Sequence, residues 1–344
     1  MEHNEESSER KNWYDKSYKL LLIIPAILLL FSLVYLYGFV QNTGDIIRKD
    51  VSLTGGTSVS VFDGNVEIDD LKSKLLEEFP DLRAREISDF RTGKQQGFFV
   101  ETRAGVDEIT GALENYLGYE LNQQNSSIEF TGETLSKGFY QQVRNAIFTA
   151  FLFMGLVVFL IFGKSKKMKS ISVILTIIAA VLLFKSALPV LIGLIVLALI
   201  LIYIIYSIPS AAVILSAFAD IVMTIALVNL LGMELSIAGV IAFLMLIGYS
   251  VDTDILLTSR LVKRHEGSIN KRMFDAFKTG ITMTLTSMAA VAVSLFIIYN
   301  FSETLKQIFT ILIIGLGFDI LNTWLGNASI LKLYVEKKGL GGLK

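Results

Sequence analysis

The stretch IGYSVDTDILL, Ile247 to Leu257, closes an apolar run that begins near Ser236. About 20 consecutive, mostly apolar residues are what an α-helix needs to cross a bilayer. Yet this run holds two carboxylates, Asp252 and Asp254. Setting one in hydrocarbon costs roughly 2.5–3.5 kcal/mol on insertion scales. A membrane helix that carries two of them poses the functional question at once.

Working outward, the same apolar character recurs along the chain. The 344 residues are 53% hydrophobic, with mean hydropathy +0.58, above the roughly 45–50% of soluble domains. The apolar residues are clustered in long runs, not spaced as in a soluble core. Spans are expected at 20–40, 145–163, 170–184, 188–206, 211–231, 236–257, 280–299 and 305–333. The first is too long for a signal-peptide core, and no small-residue cleavage pattern follows it. It reads as a retained helix with Pro25 near its start. The pair between 164 and 206 is short, so one kinked helix is the alternative to a hairpin.

Basic loops arbitrate. Lys164–Lys169 (KSKKMK), Ser259–Lys278 and the C-terminal VEKKGLGGLK are rich in Lys and Arg, which favours the cytoplasmic side. Eight spans put all three inside, whereas seven would put some outside. The expected layout is a cytoplasmic tail at 1–19, a first helix at 20–40, an extracytoplasmic block at 41–142, a helical bundle at 143–334 and a cytoplasmic tail at 335–344. The chain is expected in the cell membrane with both termini inside.

The block at 41–142 is polar, with strand alternation and amphipathic helices. TSVSVF (57–62) reads as a strand, and EIDDLKSKLLEEF (67–79) as a helix with Ile68, Leu71, Leu75, Leu76 and Phe79 on one face. AREISDFRT and GFFVETRA read as strands joined at GKQQG, GVDEITGALENYL as a second helix, and SSIEFTGETL as a closing strand. The order β-α-β-β-α-β is the split βαβ of a ferredoxin-like α+β domain. An irregular linker would not carry two amphipathic helices and a hairpin. Thr54, Gly55 and Gly56 read as the turn leading into it, where free φ is needed. A phosphate-cradling loop there would need a following Lys and helix.

Four acidic residues fall within spans: Asp220, Asp252, Asp254 and Asp319. No Lys or Arg shares the middle of their helices. Asp254 is near enough to the cytoplasmic end for headgroup water to reach it. Asp220 and Asp319 lie too deep for a short side chain to reach the interface. Their structural alternative is a hydrogen bond to Asn322, Thr282 or Thr286 on a neighbouring helix. Carboxylates in such places form proton and cation routes. Gly248 and Ser250 before Asp252, Ala217 and Ala219 before Asp220, and Gly315, Gly317 and Gly326 around Asp319 support close helix packing.

Other chemistry is excluded or weak. There are no cysteines, and the two histidines, His3 and His265, lie far apart in charged stretches. No metal, cofactor, nucleic-acid or nucleophilic-triad signature is present, and the chain is not read as an enzyme. Asn125–Ser127 matches a glycosylation triplet, a frequent chance event. An intramembrane aspartyl protease would need two facing aspartates, but GLGFD (315–319) is one residue too long for its G-x-G-D motif.

Taken together, these residues resemble the SecF family, the smaller half of the SecD–SecF export complex within the resistance-nodulation-division superfamily. SLTGGTSVSVF is similar to the family's opening into its external domain. FADIVMTIALVNLLGMELSIAGVIAFLMLIGYSVDTDILLTSRL resembles its most specific region, and GFDILNTWLGNASILKLY looks like the archaeal branch. The resemblance implies a bundle of six shared helices, here with an extra hairpin at about 164–206. It implies pairing with SecD, contact with Sec channel subunits and the translocating preprotein, and drive by the proton motive force. Asp220, Asp252, Asp254 and Asp319 would form the proton or ion path, with Gly248, Tyr249, Ser250, Thr282 and Asn322 in support. Bacterial relatives carry an arginine early in the fifth shared helix, where this chain has Thr282. A stand-alone transporter of the same superfamily is the alternative, although such pumps are far longer.

Overall fold

The computed structural model describes residues 13–89, 92–264, 266–299 and 302–339. Much of both expected tails, and His3 and His265, lie outside the described residues. The chain opens with α1 (Trp13–Leu21) and α2 (Ile23–Thr43), which together make the first membrane-length helix. Gly44, with φ +77°, closes α2 through a bond from its N–H to Val40, the left-handed stop that glycine permits.

A short helix α3 (Val51–Thr54) follows, capped by Asp50, whose carboxylate accepts from Ser52 N. Gly55 and Gly56 then turn the chain, at φ +88° and +145°. A Cβ on Gly55 would lie 2.6 Å from Glu133 Cα, and one on Gly56 would strike the Thr102 carbonyl. Both glycines are therefore fixed by conformation and by close approach.

The sheet domain comprises β1 (Gly56–Val61), α4 (Ile68–Leu75), β2 (Arg83–Ser88), β3 (Gln95–Thr102), α5 (Val106–Leu117) and β4 (Ser126–Thr131). Strand order is β2-β3-β1-β4, with every neighbouring pair antiparallel. This is the split βαβ arrangement read from the sequence. Alternation puts Val59, Val61, Phe98 and Val100 on one face, against Leu71 and Leu75 of α4 and Ile109 and Leu113 of α5. The hairpin joint differs from the sequence reading. Gln95 to Gly97 belong to β3, and the turn lies earlier, closed by Asp89 N donating to the Lys94 carbonyl at 2.8 Å. Of the two glycines in GKQQG, only Gly93 has a positive φ.

Beyond the sheet run α6 (Glu133–Phe162), α7 (Lys166–Phe184), α8 (Pro189–Tyr206), α9 (Ile208–Leu230), α10 (Ile237–Val262), α11 (Ile269–Ile298), α12 (Glu303–Leu321) and α13 (Ala328–Lys337). A π-helical turn, Asn322–Asn327, joins the last two. With the first helix these give, among the described residues, eight segments long and apolar enough to span a membrane.

Several helices outrun their apolar cores. α6 starts at Glu133, not Asn145, and α11 starts at Ile269, not Gly280. α10 continues to Val262. Much of the basic Ser259–Lys278 loop is thus helix, since Lys and Arg are good helix formers. The segment at 164–206 forms two helices. Ser186 and Leu188 both adopt positive φ in the turn between them. This hairpin packs on α6 through Phe159, Ala179, Ile195, Leu199 and Tyr203.

α9, α10 and α12 form the centre of the bundle. A Cβ on Gly315 of α12 would come within 2.5 Å of Leu246 Cδ1 on α10, so these helices touch nearly backbone to side chain. The sheet domain is fastened to the same helices. Leu235 N donates to Arg48 O at 2.8 Å, and Asn229 Nδ2 donates to Ile46 O at 2.7 Å. Arg83 on β2 pairs with Glu234, and Arg85 lies 3.6 Å from Glu303 at the start of α12.

Candidate functional site: a buried carboxylate cluster

Three of the four intramembrane aspartates meet between α9, α10 and the last span. Asp220, Asp254 and Asp319 are each 0% exposed. Asp220 accepts from Ser250 Oγ at 2.5 Å and from Asn322 Nδ2 at 2.6 Å. Asp254 Oδ1 accepts from Asn327 Nδ2 at 2.7 Å and lies 2.9 Å from Thr323 Oγ1. The same Thr323 oxygen is 3.0 Å from Asp319 Oδ1, and Thr284 Oγ1 approaches Asp319 Oδ2 at 3.5 Å.

The local sequence explains how one helix serves all three. Asp319, Thr323 and Asn327 recur every four residues, so they share one helix face. Asn322 and Asn327 would be about 140° apart on a regular α-helix. The π-turn between them brings residues five apart into one turn. Asn322 thus reaches Asp220 while Asn327 reaches Asp254. Trp324, inside that turn, packs edge-on against Phe277 and over Gly280, where a Cβ would sit 2.5 Å from its ring.

Asp252 stands apart. Residues two positions apart on an α-helix point about 200° from one another. Asp254 therefore faces inward, and Asp252 is exposed on the outer side of α10, as are Gly248 and Tyr249. Among the described residues, no hydrogen bond joins Asp252 to the cluster. Thr282 is exposed and donates to the Lys278 carbonyl at 2.7 Å, so it does not touch the carboxylates. Ser250 and Asn322 do. Thr54, Gly55 and Gly56 lie far along the chain, in the turn beside the sheet.

Sequence reading missed Thr323, Asn327 and Thr284. The signal for the first two was the four-residue spacing from Asp319. Among the described residues, no Lys or Arg hydrogen bonds to the three carboxylates, and no group of three or more acidic, His or Cys residues fits a metal. Among the described residues, the donors on the cluster are neutral hydroxyls and amides.

Residues 178–337 match the family model described as protein export membrane protein SecD/SecF, C-terminal. A protein-export membrane protein SecF of Methanocaldococcus jannaschii is 34% identical over 94% of this chain and 97% of its own length. A second, from Methanothermobacter thermautotrophicus, is 34% identical over 93% of this chain and 94% of its own. The crystal structure of SecDF, a translocon-associated membrane protein from Thermus thermophilus, superposes with TM-score 0.57 at 18% identity. It covers 94% of this chain, which spans 38% of that structure's length. These relatives carry the name of an export protein, so neither the protease nor the stand-alone transporter reading is favoured.

Proposed function

Because the chain belongs to the SecF family of protein-export membrane proteins, we propose that it aids export beside a SecD partner, drawing on the proton motive force. Asp220, Asp254 and Asp319 are the coupling residues in this reading. The observation that carries it is their full burial, with only neutral donors around them. Buried intramembrane carboxylates in a packed bundle are the groups that hold and pass protons or cations. The fold supplies a route for movement. α12 bears Asp319, its Glu303 meets Arg85 of the sheet, and its Gln307 accepts from Ser236 Oγ at 2.5 Å. A shift of α12 on proton binding would reach the sheet domain through the Glu303–Arg85 pair and the start of α10 through Gln307.

A partner bundle is supported by Asp252. A carboxylate on the outer face of a spanning helix is costly in lipid, and helices of a second protein would cover it. The basic loops support cytoplasmic termini and an extracytoplasmic sheet domain in the cell membrane. That domain would then meet the emerging preprotein, the channel subunits or the partner's external domain.

The test uses vesicles holding this chain, its SecD partner and the Sec channel, with an imposed proton gradient. Asp220→Asn, Asp254→Asn and Asp319→Asn should each lower export while leaving copurification with SecD intact. Asp252→Leu should instead change copurification. Full gradient-driven export by all three asparagine variants would remove the coupling assignment.

A further inference from the structure

Thr323 makes a demand on protons that can be counted. Its hydroxyl oxygen lies 2.9 Å from Asp254 Oδ1 and 3.0 Å from Asp319 Oδ1. A threonine hydroxyl carries a single hydrogen, though its oxygen can also accept. It can make one near-linear, full-strength donation, to one carboxylate. The other contact, at hydrogen-bond length between two oxygens, needs its own proton. That proton belongs to a carboxyl group which donates to Thr323. All three residues are 0% exposed, so bulk water does not screen an unprotonated oxygen pair.

The remaining contacts fix the direction. Asp254 Oδ1 already accepts from Asn327 Nδ2 at 2.7 Å, which suits an ionised oxygen. Asp319 Oδ1 has Thr323 as its close neighbour, and Thr284 sits at the long distance of 3.5 Å from the other oxygen. We infer that Asp319 and Asp254 share one proton through the Thr323 hydroxyl, ordered as Asp319 O–H to Thr323 O–H to Asp254.

This chain can reverse without moving a heavy atom far. The Asp319 O–H bond breaks as a new Thr323 O–H forms, and the old Thr323 O–H breaks as Asp254 O–H forms. One proton leaves Asp319, one arrives at Asp254, and the summed charge is unchanged. Thr323 is thus a positioning and relay residue set by the π-turn. The other Asp254 oxygen is buried on the side of the Ser216 hydroxyl, away from Thr323, which leaves it as a second position for onward exchange. The use of this relay in transport rests on the proton coupling proposed above. The shared proton itself does not.

Two measurements separate these claims. Infrared difference spectra of the purified chain should show a protonated-carboxyl C=O stretch that disappears in Asp319→Asn and shifts in Thr323→Val, where the hydrogen bond is lost. Proton flux into vesicles holding the chain with its SecD partner should fall about tenfold or more in Thr323→Val, the scale of a lost positioned proton-transfer group. Thr323→Ser should stay within about twofold, because it keeps the hydroxyl. A purely packing role would be rescued by valine, not serine. If wild type shows no flux but the band shifts as stated, the shared proton stands and the coupling reading fails. Absence of an Asp319-dependent band overturns the inference, as does undiminished flux in Thr323→Val where the wild type conducts. Should Thr323→Val not fold, the wild-type, Asp319→Asn and Thr323→Ser spectra still decide.

Discussion

Gly315→Ala tests the packing that brings the carboxylates together. A Cβ at 315 would stand 2.5 Å from Leu246 Cδ1 and 2.9 Å from its Cγ, and closer still to Cδ2. Carbon atoms in good contact are about 3.5–4.0 Å apart, so α12 or Leu246 must give by about 1 Å. Leu246 is fully buried among Val240, Phe243, Ile311 and Leu312 and has no open side to retreat to. Overpacking of this kind costs about 1–3 kcal/mol. Leu246→Ala alone should cost about 2–5 kcal/mol by leaving a cavity. In the double variant the new methyl enters that cavity. The two losses should then fall short of their sum by about 1–3 kcal/mol. Unfolding of the detergent-solubilised chain, followed by thermal or denaturant titration of all four proteins, measures this. Strict additivity would refute the claim that α10 and α12 touch through this pair.

Three further outcomes are expected. Asn322→Leu removes the amide that donates to Asp220 at 2.6 Å and should cost about 1–3 kcal/mol for the buried acceptor left behind, read as a lower melting temperature that Asp220→Leu in the same chain partly restores. Gly56→Ala meets both a φ of +145° and the Thr102 carbonyl and should destabilise the sheet domain by about 1–3 kcal/mol, seen as faster proteolysis between 56 and 131 with the helices intact. Burial holds the Glu101 carboxyl above its ordinary value of 4.5, with Arg85 opposing the shift. The folded state therefore binds more protons there than the unfolded chain, and stability should fall as pH rises from about 4.5 through that raised value. Asp50, also pushed up by burial, adds in the same direction, and Glu101→Gln should flatten the slope in a melting series across pH.

The fold was legible where physics writes a period into the chain. Runs near 20 apolar residues marked the spans, and period-two alternation in TSVSVF and GFFVET marked the central strands. Helix ends were less legible, because α6 and α11 continue as polar, Lys- and Arg-bearing helix outside the apolar zone. The cluster was half legible. Charge in an apolar run exposes Asp220, Asp254 and Asp319, but depth along a helix does not say which way a side chain points. Depth alone made Asp252 the more buried of the pair, whereas the two-residue offset turns it outward and Asp254 inward. The π-turn left no composition signal, and Thr323 and Asn327 were marked only by their four-residue spacing from Asp319.

The exposed Thr282 bears on how the cluster handles charge. Its hydroxyl is committed to the Lys278 carbonyl, so it does not replace the arginine that the family resemblance leads one to look for. What faces the carboxylates instead comes largely from the last span: Asn322, Thr323 and Asn327. Neutral donors orient and solvate a carboxylate, but they cannot cancel its charge, and a buried charge without compensation is among the costliest arrangements in a protein. An arginine would fix the charge of the site permanently. A row of amides and hydroxyls leaves it open, so under the proposed coupling the number of protons or cations taken from solution would select the packing of α9, α10 and α12. Under the coupling proposed above, the site's neutrality would come from its cargo, which would tie the position of α12, and the sheet contact it carries at Glu303, to occupancy.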